Sequence, residues 1–119
     1  MWGLEKQQWY WLWSGETDMR RGFDGLSGMI RTGMSGRDPL SGEAFIFVNR
    51  RRTQMKILVW ESSGFLIYHK RLESGTFEKA HTDESGSLRW DALIMLVEGV
   101  VLAGINRRKR FSFPNQKRA

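Results

Sequence analysis

The residues best suited to chemistry in this chain are cations gathered in short runs. Arg50, Arg51 and Arg52 lie in a row, with Lys56 shortly after. Lys70 and Arg71 form a second group, and Arg107, Arg108, Lys109 and Arg110 a third. Guanidinium and ammonium groups at such spacing neutralise successive phosphates and release condensed counterions, so a polyanion is the implied ligand. Phe111 and Phe113, which follow the third run, can stack on unpaired bases. Four contiguous cations repel one another unless an anion compensates them, which favours a binding role for the tail over simple solubility. Arg50 to Arg52 read as a hairpin tip, where contact with phosphate is expected more than readout of base edges. For Lys70 and Arg71 the plainer role is protection of an edge strand against aggregation.

Other chemistry is poorly supported. Asp18, Asp24, Asp38 and Glu43 fall close together, and clustered carboxylates can hold Mg²⁺ for phosphodiester cleavage. Each has a simpler role, however: Asp18 at a helix start, Asp24 an i, i+7 relation to Arg31, Asp38 opening a proline turn. No spacing among them specifies a ligand set. A metal-dependent nuclease is therefore the minor alternative, and it requires Asp18, Asp24 and Asp38 to converge. His69 and His81 have no partner at metal-ligand spacing. There is no nucleophile elbow, phosphate-binding loop or dinucleotide fingerprint, so no cofactor is expected and catalysis is not.

The 119 residues suit one domain with one core. Lys and Arg total 19 against 13 Asp and Glu, a net charge of +6. Six of those cations lie from Ile105 onward, in a segment without acid, so the rest of the chain is balanced. Cysteine is absent, which excludes disulfides, thiolate metal sites and cysteine nucleophiles and suits a reducing compartment. The first residues lack the order of a secretory signal, and Leu93 to Ile105 is interrupted by Glu98 and too short to span a bilayer. The expectation is a cytoplasmic protein without a membrane partner.

These cations need elements to hold them. Trp9, Trp11 and Trp13 alternate with Tyr10 and Leu12, the pattern of a first strand. Thr17 or Asp18 then reads as a helix cap, and Met19, Phe23, Leu26 and Ile30 recur at helical spacing up to a stop near Gly33 to Gly36. Gly22, Gly25 and Gly28 inside that helix suggest a close backbone neighbour. After an Asp38-Pro39-Leu40-Ser41-Gly42 turn come three strand-like runs, Ala44 to Arg50, Met55 to Glu61 and Phe65 to Leu72, with hairpin connections. Glu73 to Ser87 reads as a loop. Ser87 then caps a second helix whose apolar face comprises Trp90, Leu93, Ile94, Val97, Val100 and Val101. The expected fold is α+β: a small, mostly antiparallel sheet packed with two helices in the order β-α-β-β-β-α. It spans residues 1–105, followed by a flexible basic tail at 106–119.

The order of residues also resembles a known family. Trp11-Leu12, Gly15 and the string Thr17-Asp18-Met19-Arg20-Arg21-Gly22-Phe23-Asp24-Gly25-Leu26 are similar to the signature of the TnpB accessory proteins of the insertion-sequence sixty-six family of bacterial mobile elements. The similarity continues through Arg37 to Gly42, Phe45-Ile46-Phe47, Asn49-Arg50-Arg51, Lys56-Ile57-Leu58, Trp60, Gly64, Tyr68, Lys70 to Phe77, and Leu93, Leu96, Val97, Glu98 and Gly99. The resemblance implies a non-catalytic role in transposition, beside a separate transposase that cuts the strands. It carries no catalytic residues across. The expected partners are DNA, the transposase of the same element, or another copy of the chain; DNA and RNA are not distinguished. The alternative is an adaptor that docks the transposase, or self-associates, without touching DNA.

Overall fold

A computed structural model describes residues 4–5, 7–79, 82, 85–98 and 100–101. The expected tail, with Arg107 to Arg110, and also His81 and Gly99 lie outside the described residues. The elements are β1 (Tyr10–Glu16), α1 (Phe23–Gly33), β2 (Ala44–Val48), β3 (Gln54–Glu61), β4 (Gly64–Arg71), β5 (Thr76–Phe77), β6 (Ser87–Leu88), α2 (Trp90–Glu98) and β7 (Val100–Val101). Five strands form one sheet in the order β4-β3-β2-β1-β6, and β5 pairs with β7 separately.

The expectation of a mostly antiparallel sheet is corrected: the sheet is mixed. β1 runs parallel to β2, with Tyr10 opposite Ala44 and Leu12 opposite Ile46, while β2-β3, β3-β4 and β1-β6 are antiparallel. A parallel pair needs a long crossover, and α1 supplies it.

Because β2 is central and covered on both faces, all five of its residues are buried. Phe45 and Phe47 join Trp11, Leu58, Leu26 and Ile30 in the core beneath α1. Ala44, Ile46 and Val48 face the other way, with Tyr10, Met55, Ile57 and Val59, against Leu93 and Leu96 of α2. The two helices therefore cover opposite faces of the sheet, which is why the strands nearest the centre lose the in-out alternation of a one-sided sheet.

The ends of several elements differ from the sequence expectation. α1 begins at Phe23, with Gly22 at its cap position and no side-chain cap. Thr17 is still tied to the sheet, donating its backbone N–H to the Val48 carbonyl at 3.0 Å, and Asp18 accepts from the Arg20 N–H at 2.9 Å. Both lie several residues before Phe23, too far upstream to cap the helix. Met19 precedes the helix but still packs in the α1-side core.

The glycine row is not a close-packing seam. A Cβ at Gly22 or Gly28 would meet nothing within 4 Å, and one at Gly25 would meet only the Arg21 side chain. Gly33 is the constrained glycine: a Cβ there would collide with Cη2 of Trp13.

Ser87 pairs with Trp11 in β6 rather than capping α2. The helix starts at Trp90, and the Leu93 N–H donates to the Arg89 carbonyl. Val100 and Val101 leave the helix to pair with Phe77 and Thr76. The expected loop from Glu73 to Ser87 thus contains β5 and opens β6.

Candidate nucleic-acid interface

The turn between β2 and β3 is built by Asn49. Its Oδ1 accepts from the backbone N–H groups of Thr53 and Gln54, each at 2.9 Å, and its Nδ2 donates to the Thr53 hydroxyl. Arg52 takes the left-handed conformation, with φ of 60°, so that its N–H can donate to the Asn49 carbonyl at 3.0 Å. Its guanidinium donates to the carbonyls of Phe77 at 2.9 Å and Glu78 at 2.6 Å, and its carbonyl accepts from the Phe77 N–H. Burial pushes the guanidinium pKa down from its ordinary value. Arg52 is therefore a strut that fastens the turn to β5.

Arg50 and Arg51 sit on this braced turn, both exposed. Neither forms an ion pair or a side-chain hydrogen bond with the described residues.

The other cations named from sequence are committed elsewhere. Lys56 lies on the α1 face of β3 and is only 9% exposed; its Nζ donates to the carbonyls of Met19 at 2.9 Å and Arg21 at 2.8 Å. It thereby clamps the segment before α1. Lys70 Nζ donates to the Val97 carbonyl at 2.8 Å, tying β4 to α2, and Arg71 pairs with Glu73 at 3.2 Å on the surface.

Of the string resembling a family signature, Asp18 holds Arg20 through its backbone N–H and guanidinium, and that pairing drives its carboxyl well below the usual range. Met19 lends its carbonyl to Lys56, and Thr17 is buried. Gly22 and Gly25 stand at the start of α1, and Phe23 stacks on Phe65 with ring centres 6.4 Å apart. The string is the connection from β1 into α1, anchored by Thr17 and Leu26 and otherwise largely exposed.

The carboxylates required by the nuclease reading do not converge. Asp18 serves Arg20, Asp24 lies in the first turn of α1, Asp38 accepts from the Leu40 N–H at 2.9 Å, and Glu43 accepts from Trp11 Nε1 at 3.1 Å. Among the described residues no group of three or more His, Asp or Glu side chains could hold a metal ion.

Sequence reasoning missed a groove beside β1. One depression of about 510 Å³ is lined by Leu12, Trp13, Ser14, Gly33 and Arg37 among others. A second, of about 620 Å³, shares Leu12, Trp13 and Ser14 and adds Gly15, Glu16, Arg50, Arg52 and Lys79. Arg37 also lies 3.5 Å over the Trp11 ring. Isolated cations such as Arg37 and Lys79 carry no local pattern, so only the chain's folding could reveal that each lines a depression beside Trp13.

Comparison with known proteins sets this architecture in context. The family model of the IS66 Orf2-like protein matches residues 8–107. The uncharacterised protein y4jC of Sinorhizobium fredii is 35% identical over 60 residues, half of each chain. The uncharacterised protein y4hO of the same organism is 33% identical over 67 residues, 56% of this chain and 57% of that one. The chain thus spans about half the length of the curated relatives it matches. No solved structure matches it. Among the described residues no helix is long and apolar enough to cross a membrane. With every element from β1 to β7 inside the matched region, the chain belongs to the IS66 Orf2-like protein family.

Proposed function

We propose that the protein is a non-catalytic accessory factor of DNA transposition, which binds element DNA and helps assemble the complex of a separate transposase. The observation that carries this reading is the β2–β3 turn. Asn49 and Arg52 hold its backbone, and two exposed arginines project from it without a carboxylate partner among the described residues. Uncompensated cations are what a phosphate backbone recruits, and a turn whose backbone is already fixed loses little backbone freedom on contact. The family membership supports the setting in a mobile element, and the basic residues from Arg107 onward supply further positive charge.

The test is a salt titration of binding to a duplex carrying the element end, using the full chain and an Arg50→Ala/Arg51→Ala variant. The slope of log K against log salt should fall by about 0.9 for each phosphate that is no longer neutralised. An unchanged slope removes the turn from the interface. Capture of the transposase by a chain that binds no DNA would instead favour the adaptor role.

A further inference from the structure

β4 is the outer strand of the five-stranded sheet, and one bond tells which of its backbone groups face outward. The Leu72 N–H donates to the Thr53 carbonyl at 2.8 Å, one step beyond the Arg71–Gln54 pair. Bonded pairs alternate along an antiparallel ladder, so Gly64, Leu66, Tyr68 and Lys70 also turn their backbone N–H and C=O groups toward β3. Phe65, Ile67, His69 and Arg71 turn theirs away from it. Among the described residues nothing pairs with that side of the strand.

Such an edge is normally blunted by shortness, a bulge, a proline or a charge. β4 is eight residues long, keeps an unbroken register with β3 and contains no proline. Its lysine and arginine are taken up within the chain, Lys70 by the Val97 carbonyl and Arg71 by Glu73. Phe65, Leu66, Ile67 and Tyr68 are only half-buried, whereas Met55 to Val59 of the neighbouring strand are buried. Phe65 also gathers two more rings beside the edge. Trp60 meets it edge-on with centres 5.1 Å apart, and Phe23, itself 49% exposed, stacks on it. An apolar rim therefore borders the open backbone.

We infer that β4 pairs antiparallel with β4 of a second copy of this chain, joining two sheets into one. The distribution of charge along the strand selects this partner. Gly64 to Ile67 carry no charge, and the basic side chains follow at His69, Lys70 and Arg71. A two-fold axis at Tyr68 sets Phe65 opposite the partner's Arg71 and Ile67 opposite the partner's His69, so every outward backbone group is bonded. Leu66 then faces the partner's Lys70, and no cation faces a cation. Parallel pairing would bring the basic ends together, which is unfavourable. The edge is thus self-complementary in the orientation that closes into a dimer. This pairing does not depend on DNA.

The experiment is light scattering of the full chain, free of nucleic acid, during size-exclusion chromatography over a dilution series. The higher concentrations should give twice the 13.9 kDa of one chain. His69→Pro removes an outward N–H and obstructs the partner strand without taking a bond from β3, and edge strands tolerate proline at such positions. It should run as a single chain. The sequence has no cysteine, so an introduced thiol reports on proximity. Tyr68→Cys, at the two-fold, brings two Cα atoms to about 4.5 Å and should oxidise to a disulfide-linked dimer. Arg31→Cys, at an exposed position on α1, should not. Thermal melting confirms that each variant is folded, and the masses of the unsubstituted chain and His69→Pro decide alone if Tyr68→Cys is not.

A single-chain mass at every concentration would overturn the pairing, whether the edge is then closed by the chain itself or by another protein. So would a dimer that persists in folded His69→Pro, or a disulfide that forms as readily in Arg31→Cys, because either places the contact on another surface.

Discussion

Replacing Lys56 with Met separates a structural lysine from a phosphate-binding one. The ammonium donates to two carbonyls, of Met19 and Arg21, at 2.9 and 2.8 Å, from a residue that is 9% exposed. A hydrogen bond involving a charged group contributes about 1.5–3 kcal/mol. Two such bonds give an upper figure of about 6 kcal/mol, but the segment they hold borders solvent, and its carbonyls regain water once released. Met keeps most of the aliphatic stem and its packing near Leu58, so the cavity cost is small. The expected loss is about 2–4 kcal/mol, a sizeable share of the roughly 5–15 kcal/mol that holds a domain folded. Urea unfolding followed by tryptophan fluorescence reads it as a lower midpoint at constant m-value. Under folding conditions the salt slope for DNA should match that of the unsubstituted chain. A variant of undiminished stability whose slope drops by about 0.9 would refute the argument and restore Lys56 to the interface.

Three further outcomes follow from the same geometry. Gly28→Ala should stabilise the chain by about 0.5–1 kcal/mol, because a helical glycine with open space gains propensity, whereas Gly33→Ala should destabilise it by about 1–2 kcal/mol as the new methyl displaces the Trp13 ring. Matched thermal melts decide the pair, and two stabilised variants would show that the ring yields freely. Burial pushes the Tyr10 phenol up to about 12, with its hydroxyl donating to the Glu5 carbonyl. The folded state thus keeps a proton that the unfolded chain releases near pH 10, so stability is full below pH 10 and should fall between pH 10 and 12 by on the order of 2–3 kcal/mol. Tyr10→Phe should flatten that alkaline limb in pH-dependent denaturation, and an equally steep limb would exclude the phenol as its source. Thr17 Oγ1 is buried without a hydrogen-bond partner, so Thr17→Val should preserve stability or raise it by up to about 1 kcal/mol; a loss above about 1 kcal/mol in urea would reveal a partner for the hydroxyl.

The strands and helices were largely legible in the chain because their signals are local. Alternation marked β1, runs of Phe, Ile and Val marked β2 and β3, and the stripe of Leu26 and Ile30 marked α1. Arg50 to Arg52 read as a hairpin tip, and a turn is there, though the part Asn49 plays in it was not read from the sequence. Periodicity and turn chemistry act over a few residues, so the amino-acid order determines them without reference to the rest of the molecule.

Tertiary pairing decided the remainder. Whether β1 lies parallel or antiparallel to β2 depends on where α1 docks, and nothing within β1 records it. Two-residue strands such as β5 and β6 have too few residues to show a pattern and exist only because β7 and β1 lie beside them. The same holds for the cations. Lys56, Arg52 and Arg50 are near neighbours in sequence with the same charge. The fold directs Lys56 inward to the carbonyls of Met19 and Arg21 and Arg52 sideways to β5, and it leaves Arg50 free beside Lys79. Sequence determines which groups carry charge, but a side chain's partner is set by distances across the folded chain, and those arise only when remote segments pack.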